Sequence, residues 1–154
     1  MDHYRTSTLE DAEYLGPRLR EADKEEIKAA SGSDPVTALV NSFNQSNPCN
    51  TMLTPSGEPV GMFGLCPTVD GMAGAVWALA TDELLNHRKT FMRFSKQWII
   101  AANDIYPVLF NFVDARNSVH IRWLRAMGFI FINRHLSYGT ERREFIEFVR
   151  INDV

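Results

Sequence analysis

The sequence is short of cysteine, of long apolar stretches and of net positive charge, and each shortage excludes a class of protein. Its two cysteines, Cys49 and Cys66, form no CxxC pair and have no histidine-rich neighbourhood. That is neither a disulfide framework nor a zinc motif, and two reduced thiols in a cytoplasmic protein are the expectation. No apolar run approaches the roughly 20 residues needed to cross a bilayer, so no membrane role is expected. The opening residues MDHYRTSTLEDAEYL lack the basic start and apolar core of a secretory leader. The net charge is −3, from 16 Lys+Arg against 19 Asp+Glu. An overall basic surface for nucleic acid is therefore missing, and nucleic acid is not an expected partner. Internal repeats and low-complexity linkers are missing too.

What remains is an ordinary globular balance: 154 residues, 45% hydrophobic and 23% charged. The length suits one domain, residues 1–154, which can bury roughly 70% of the surface its unfolded chain exposes.

Along the chain, His3 to Ser7 alternates and predicts a short strand. Thr8 followed by Glu10 and Asp11 predicts a capped helix start. That helix carries Leu15, Leu19 and Ile27 on one side, and Gly16-Pro17 must interrupt it. After Ser31-Gly32-Ser33, Asp34 caps a second helix with Pro35 in its first position. Thr51 to Leu53 and Val60 to Cys66 predict a hairpin, and Ala73 to Ala80 a further strand. A long helix should then carry Leu84, Phe91, Phe94, Trp98, Ala101 and Ile105 on one stripe. Pro107 to Val113 predicts a buried strand. Asn117 caps a short helix that Gly128 stops. Phe129 to Ile132 and Phe145 to Val149 close the chain as a hairpin around Tyr138-Gly139. The order β-α-α-β-β-β-α-β-α-β-β predicts an α/β fold, a largely antiparallel sheet flanked by helices, with a parallel pair between residues 73 and 113.

This order, together with NSVHIRWLRAMGF from Asn117 to Phe129, resembles the GNAT family of acyl-CoA-dependent N-acetyltransferases. Asn117, Ile121, Trp123, Met127, Gly128 and Phe129 match the family's helix motif. SVHIRWLRAMG and the first-helix segment LREADKEEIKAASG are also similar to small GNAT-like phage proteins of the internal virion protein A type. The resemblance implies a central parallel strand pair that splays apart, with acetyl-CoA or coenzyme A bound there. The pantetheine arm would lie along Trp77, Ala78 and Leu79, since a free strand edge accepts an extended ligand. The pyrophosphate would meet the helix start between Leu85 and Thr90, with His87, Arg88, Lys89 and Thr90 at hand and Asn117 opposite. A phage origin implies a virion or host protein partner, and a location in the host cytoplasm or inside a phage particle.

Three departures from the family pattern stand out. The stretch from Asp82 to Thr90 holds none of the glycines of a family pyrophosphate loop. Asp82 and Glu83 could cap the helix there while Arg88 and Lys89 form its solvated face, or the two cations could bind phosphate. The position of the family's catalytic tyrosine is Leu124, which transfers no proton. Ala73 to Ala80 contains no glutamate to act as base. The substitutes are His120, on the first turn after Asn117, and Asp114 at the end of the preceding strand, which could orient it. Alternatively Asp114 pairs with Arg116 alone.

Three functions stay open on the sequence. The first is acetyl transfer from acetyl-CoA to a primary amine. The second is a catalytically inactive virion, assembly or host-interaction protein. The third is a binding module without turnover.

Overall fold

The computed structural model describes residues 3–152. Seven strands form one sheet in the order β1-β2-β3-β4-β5-β7-β6. They are β1 (Tyr4–Thr6), β2 (Cys49–Leu53), β3 (Pro59–Pro67), β4 (Ala73–Ala80), β5 (Val108–Asp114), β6 (Ile130–Tyr138) and β7 (Arg143–Ile151). Every neighbouring pair is antiparallel except β4 and β5, which run parallel as expected. The helices are α1 (Leu9–Leu15), α2 (Glu21–Ser31), α3 (Pro35–Gln45), α4 (Arg88–Ile105) and α5 (Ser118–Ala126).

The helix starts follow from local chemistry. Thr8 accepts the Asp11 amide while Asp11 accepts the Thr8 amide, a reciprocal capping box. Asp34 accepts the Thr37 amide at 3.0 Å and Pro35 stands in the first turn of α3. Asn117 caps α5 by accepting the His120 amide at 3.4 Å. At Gly16-Pro17 the first helix does break, into a short 3₁₀ turn (Gly16–Arg18) that separates α1 from α2. Room there is tight, because a Cβ on Gly16 would lie 2.5 Å from Cγ2 of Val36.

Two layers of core lie against the sheet. On one face α1 and α3 bury Leu15, Leu39 and Met62, with Trp77 and Leu79 of β4 packed beside them. On the other face α4 and α5 cover Val76, Ile99, Leu109, Val113, Leu124 and Phe148. Leu124 is fully buried, so truncating it to alanine would cost roughly 2–5 kcal/mol. The alternation of β4 therefore sends Trp77 and Leu79 to the α1/α3 side and Ala78 and Ala80 to the α4 side.

Two elements differ from expectation. Residues Asp82–His87 form a 3₁₀ helix, so α4 begins at Arg88 rather than near Leu84. Neither start has a side-chain cap, so Asp82 and Glu83 are not caps. The closing hairpin is longer than its apolar residues suggest, because β6 continues through Asn133, Arg134 and His135 on an exposed edge. Its turn docks on the end of α2, where the Thr140 and Glu141 amides donate to the Ala30 and Ala29 carbonyls. Those carbonyls have no partner inside the helix, so the contact completes α2.

Candidate functional site

The parallel ladder between β4 and β5 spans only Ala73↔Val108 to Ala75↔Phe110, after which the strands part. Along the inner edge of β4 the Val76 carbonyl accepts from Asn111 Nδ2 at 2.9 Å, and the Ala80 amide donates to Asp23 Oδ2 at 3.1 Å. Ala78 lies between them on the same edge, and its amide and carbonyl find no hydrogen-bond partner among the described residues.

That edge opens into a cleft of about 830 Å³ between α4 and α5. Such a volume is typical of sites that enclose a sizeable organic ligand. Its throat is apolar, with Ala78, Leu84, Phe91, Met92 and Trp123, and its rim carries Arg88, Lys89, Arg93 and Arg122. Phe91 and Trp123 stack across it with ring centroids 5.8 Å apart. No side chain caps α4, which continues directly from the 3₁₀ turn Asp82–His87 and carries Arg88 and Lys89 at its start. A cationic rim over an apolar throat, ending at a free strand edge, suits a ligand with phosphates at one end and a thin amide chain at the other. Coenzyme A has that chemistry. The residues that would hold it are Arg88 and Lys89 for the phosphates and the Ala78 backbone for the pantetheine amides.

The inner wall of the cleft is a buried polar network. Arg20 bonds Asp23 at 2.7 Å and Asn117 Oδ1 at 3.2 Å, and Asn117 Nδ2 donates to Asp23 at 3.1 Å. Glu26 accepts the Asp114 amide at 2.8 Å. The network ties α2 across the ends of β4 and β5. Burial pushes the Glu26 carboxyl up to about 8, with the charges of Asp23 and Asp114 adding to the effect.

His120 lines the cleft, but Asp114 does not orient it. Asp114 is taken by Arg116, with contacts of 2.7 to 3.2 Å, and makes no bond to His120. Burial alone would raise the Asp114 carboxyl, yet the Arg116 hydrogen bonds outweigh it and hold it below the usual range. Burial lowers His120 to about 4, so the ring is neutral at pH 7.

Of the other sequence candidates, Ala78, Arg88 and Lys89 line the cleft. Trp77 turns away and donates to Ser46 Oγ at 2.7 Å, while Leu79 packs on the same far side. His87 lies 3.5 Å from Glu83. Neither His87 nor Thr90 lines the cleft, and Asn117 is enclosed in the network. Sequence reasoning missed Arg20, Asp23, Glu26 and Phe91 as site residues. Their only signal was the density of charge in the first-helix segment and one aromatic on an apolar stripe. Two surface arginines of the closing hairpin are paired: Arg134 with Glu144 at 2.9 Å and Arg143 with Glu141 at 2.9 Å. Among the described residues no group of three or more His, Cys, Asp or Glu could hold a metal ion, and no helix is long and apolar enough to cross a membrane.

Comparison with solved structures places this architecture. A phosphinothricin acetyltransferase of the GNAT superfamily from Sinorhizobium meliloti, in complex with AcCoA, superposes with a TM-score of 0.74 at 12% identity, covering 96% of this chain and 86% of that one. The chain has the GNAT acetyltransferase fold. A ribosomal-protein-alanine N-acetyltransferase from Brucella melitensis gives a TM-score of 0.67 at 16% identity, covering 97% and 99% of the two chains. A chimera of spermidine N-acetyltransferase SpeG from Vibrio cholerae and hSSAT gives 0.69 at 12% identity, covering 96% and 93%. In sequence, residues 63–136 match the family model described as bacteriophage T7, probable scaffold protein Gp13. That segment runs from within β3 into β6 and contains β4, β5, α4 and α5, but not Arg20 and Asp23 of the cleft's inner wall. No curated protein matches the chain in sequence.

Proposed function

We propose that this is a phage protein of the internal virion protein A type that keeps the ligand cleft of its fold and binds coenzyme A or acetyl-CoA there. The observation that carries the reading is the meeting of one large cleft with the free Ala78 edge at its throat and four exposed cations at its rim. Bound acetyl-CoA would supply an activated acetyl thioester. The Ala78 amide and carbonyl would hold the pantetheine chain as a neighbouring strand would. Arg88 and Lys89 would take the phosphates by charge, without the close backbone approach that glycines allow. Phe91, Met92 and Trp123 would exclude water around the chain.

Acetylation of a primary amine would rest on His120 alone, because Asp114 is committed to Arg116 and the tyrosine position is Leu124. The Ala80 amide, at the point where a thioester oxygen would look for a donor, is already given to Asp23. These two facts favour a second reading, a virion, assembly or host-interaction component that binds the cofactor without acetylating an amine.

Isothermal titration with free CoA tests the proposal. Saturable binding that weakens at least tenfold in Arg88→Glu/Lys89→Glu supports it. No heat at millimolar ligand from folded protein overturns it.

A further inference from the structure

Two buried polar atoms in the cleft wall have no hydrogen-bond partner among the described residues: Nδ1 of His120 and Nε1 of Trp123. Orphaned buried donors and acceptors are rare, and each carries a desolvation penalty until something meets it. Both residues belong to one element, α5, three positions apart, with ring centroids 5.7 Å from each other.

They also line a second, smaller cavity of about 20 Å³ beneath the cleft, walled by Val76, Phe63, Ile99 and Phe148. A space of about 10–15 Å³ is enough for one water, provided polar partners are present. The other walls are apolar except for Ser95, whose hydroxyl is already given to the Phe91 carbonyl, so the residues with an unmet polar atom there are His120 and Trp123. Ala78, Phe91, His120 and Trp123 line both spaces, so the small cavity adjoins the throat of the cleft at the free edge of β4.

We propose that His120 and Trp123 hold a water molecule at the inner end of the cleft, and that this water hydrolyses a short acyl-CoA thioester bound along β4. The inference rests on the CoA reading of the cleft. Trp123 Nε1 donates to the water oxygen. His120, in the tautomer carrying its proton on Nε2, accepts a water proton at Nδ1. The water oxygen forms the new bond to the thioester carbonyl carbon as that proton moves to Nδ1. The carbon–sulfur bond then breaks, the pair of electrons leaves with sulfur, and His120 returns the proton to it. Acyl-CoA and water thus become a carboxylic acid and CoA thiol, with no other reactant.

The test is thiol release from acetyl-CoA, without any amine, by wild type, His120→Gln and Trp123→Phe. Calorimetry with CoA and a thermal melt accompany each protein. Glutamine still bonds the water but takes no proton, and phenylalanine keeps the stack on Phe91 but donates nothing. The expected result is turnover by wild type, a loss of about 10²-fold or more in His120→Gln and about tenfold in Trp123→Phe. CoA affinity and melting temperature should be kept in both. Wild type that binds CoA but releases thiol no faster than buffer overturns the hydrolysis and leaves the cleft reading intact. Wild-type turnover in His120→Gln removes His120 from the step and also overturns it. Failure of wild type to bind CoA overturns the cleft reading itself.

Discussion

Arg20 and Asp23 form an ion pair 2.7 Å apart that is almost wholly out of water, with Asp23 1% exposed. Asp23 also receives the Ala80 amide from β4 and the Asn117 side chain from the start of α5. One carboxylate therefore joins α2, the splayed strand and the second helix of the cleft. Removing a single partner of such a pair strands a buried charge. Asp23→Ala should lower unfolding free energy by about 3–5 kcal/mol in urea titrations. A loss under 1 kcal/mol would show that the network contributes little to the fold.

The pH dependence of stability separates two buried groups. Folding raises Glu26 to about 8 from 4.5, so its contribution is complete below 4.5 and lost as pH rises through 8. Folding lowers His120 to about 4 from 6.5, so its contribution is complete above 6.5 and lost as pH falls through 4. Between pH 4.5 and 6.5 the two slopes oppose each other. Stability should decline from pH 6.5 to 8, and Glu26→Gln should flatten that decline while exposing the His120 slope on the acid side. Urea midpoints at half-unit intervals measure both. A wild-type curve that rises toward pH 8 would contradict the Glu26 assignment.

Trp77 serves the α1/α3 layer through Ser46. Trp77→Phe should cost roughly 1–2 kcal/mol, from one lost hydrogen bond and some packing, and leave CoA affinity unchanged. A large loss of affinity without loss of stability would return the indole to the cleft.

At Gly139, with φ +73, a Cβ would stand 2.5 Å from the Ala29 carbonyl oxygen, so the turn between β6 and β7 cannot hold its place on α2 with any side chain there. Gly139→Ala should destabilise by more than about 1 kcal/mol, since a backbone contact must open as well as the strained angle. Differential scanning calorimetry reads the loss, and an unchanged melting temperature would contradict the docking.

Local chemistry made much of the fold legible. Thr8, Asp34-Pro35 and Asn117 mark helix starts because a cap acts within three residues, and Gly16-Pro17 marks a break because proline acts on its own turn. The parallel pair followed from an apolar strand, an amphipathic helix and a second apolar strand in succession. Less could be read where partners are distant. Asp23 meets Ala80 and Asn117 at separations of 57 and 94 residues, and no periodicity announces such a pairing. Asp114 has Arg116 two residues away, and the near cation outcompeted the more distant imidazole. The extension of β6 escaped notice because an exposed edge strand needs no apolar alternation.

A thermal melt with and without CoA and acetyl-CoA shows whether the cleft between α4 and α5 takes coenzyme A. At a ligand concentration about 100 times the Kd, binding to the folded chain adds about 2.7 kcal/mol. For a chain of this size the melting temperature should rise by on the order of 5–10 °C, and the rise should be largely lost in Arg88→Glu/Lys89→Glu. An unchanged melting temperature at millimolar ligand would mean that the cleft does not take coenzyme A.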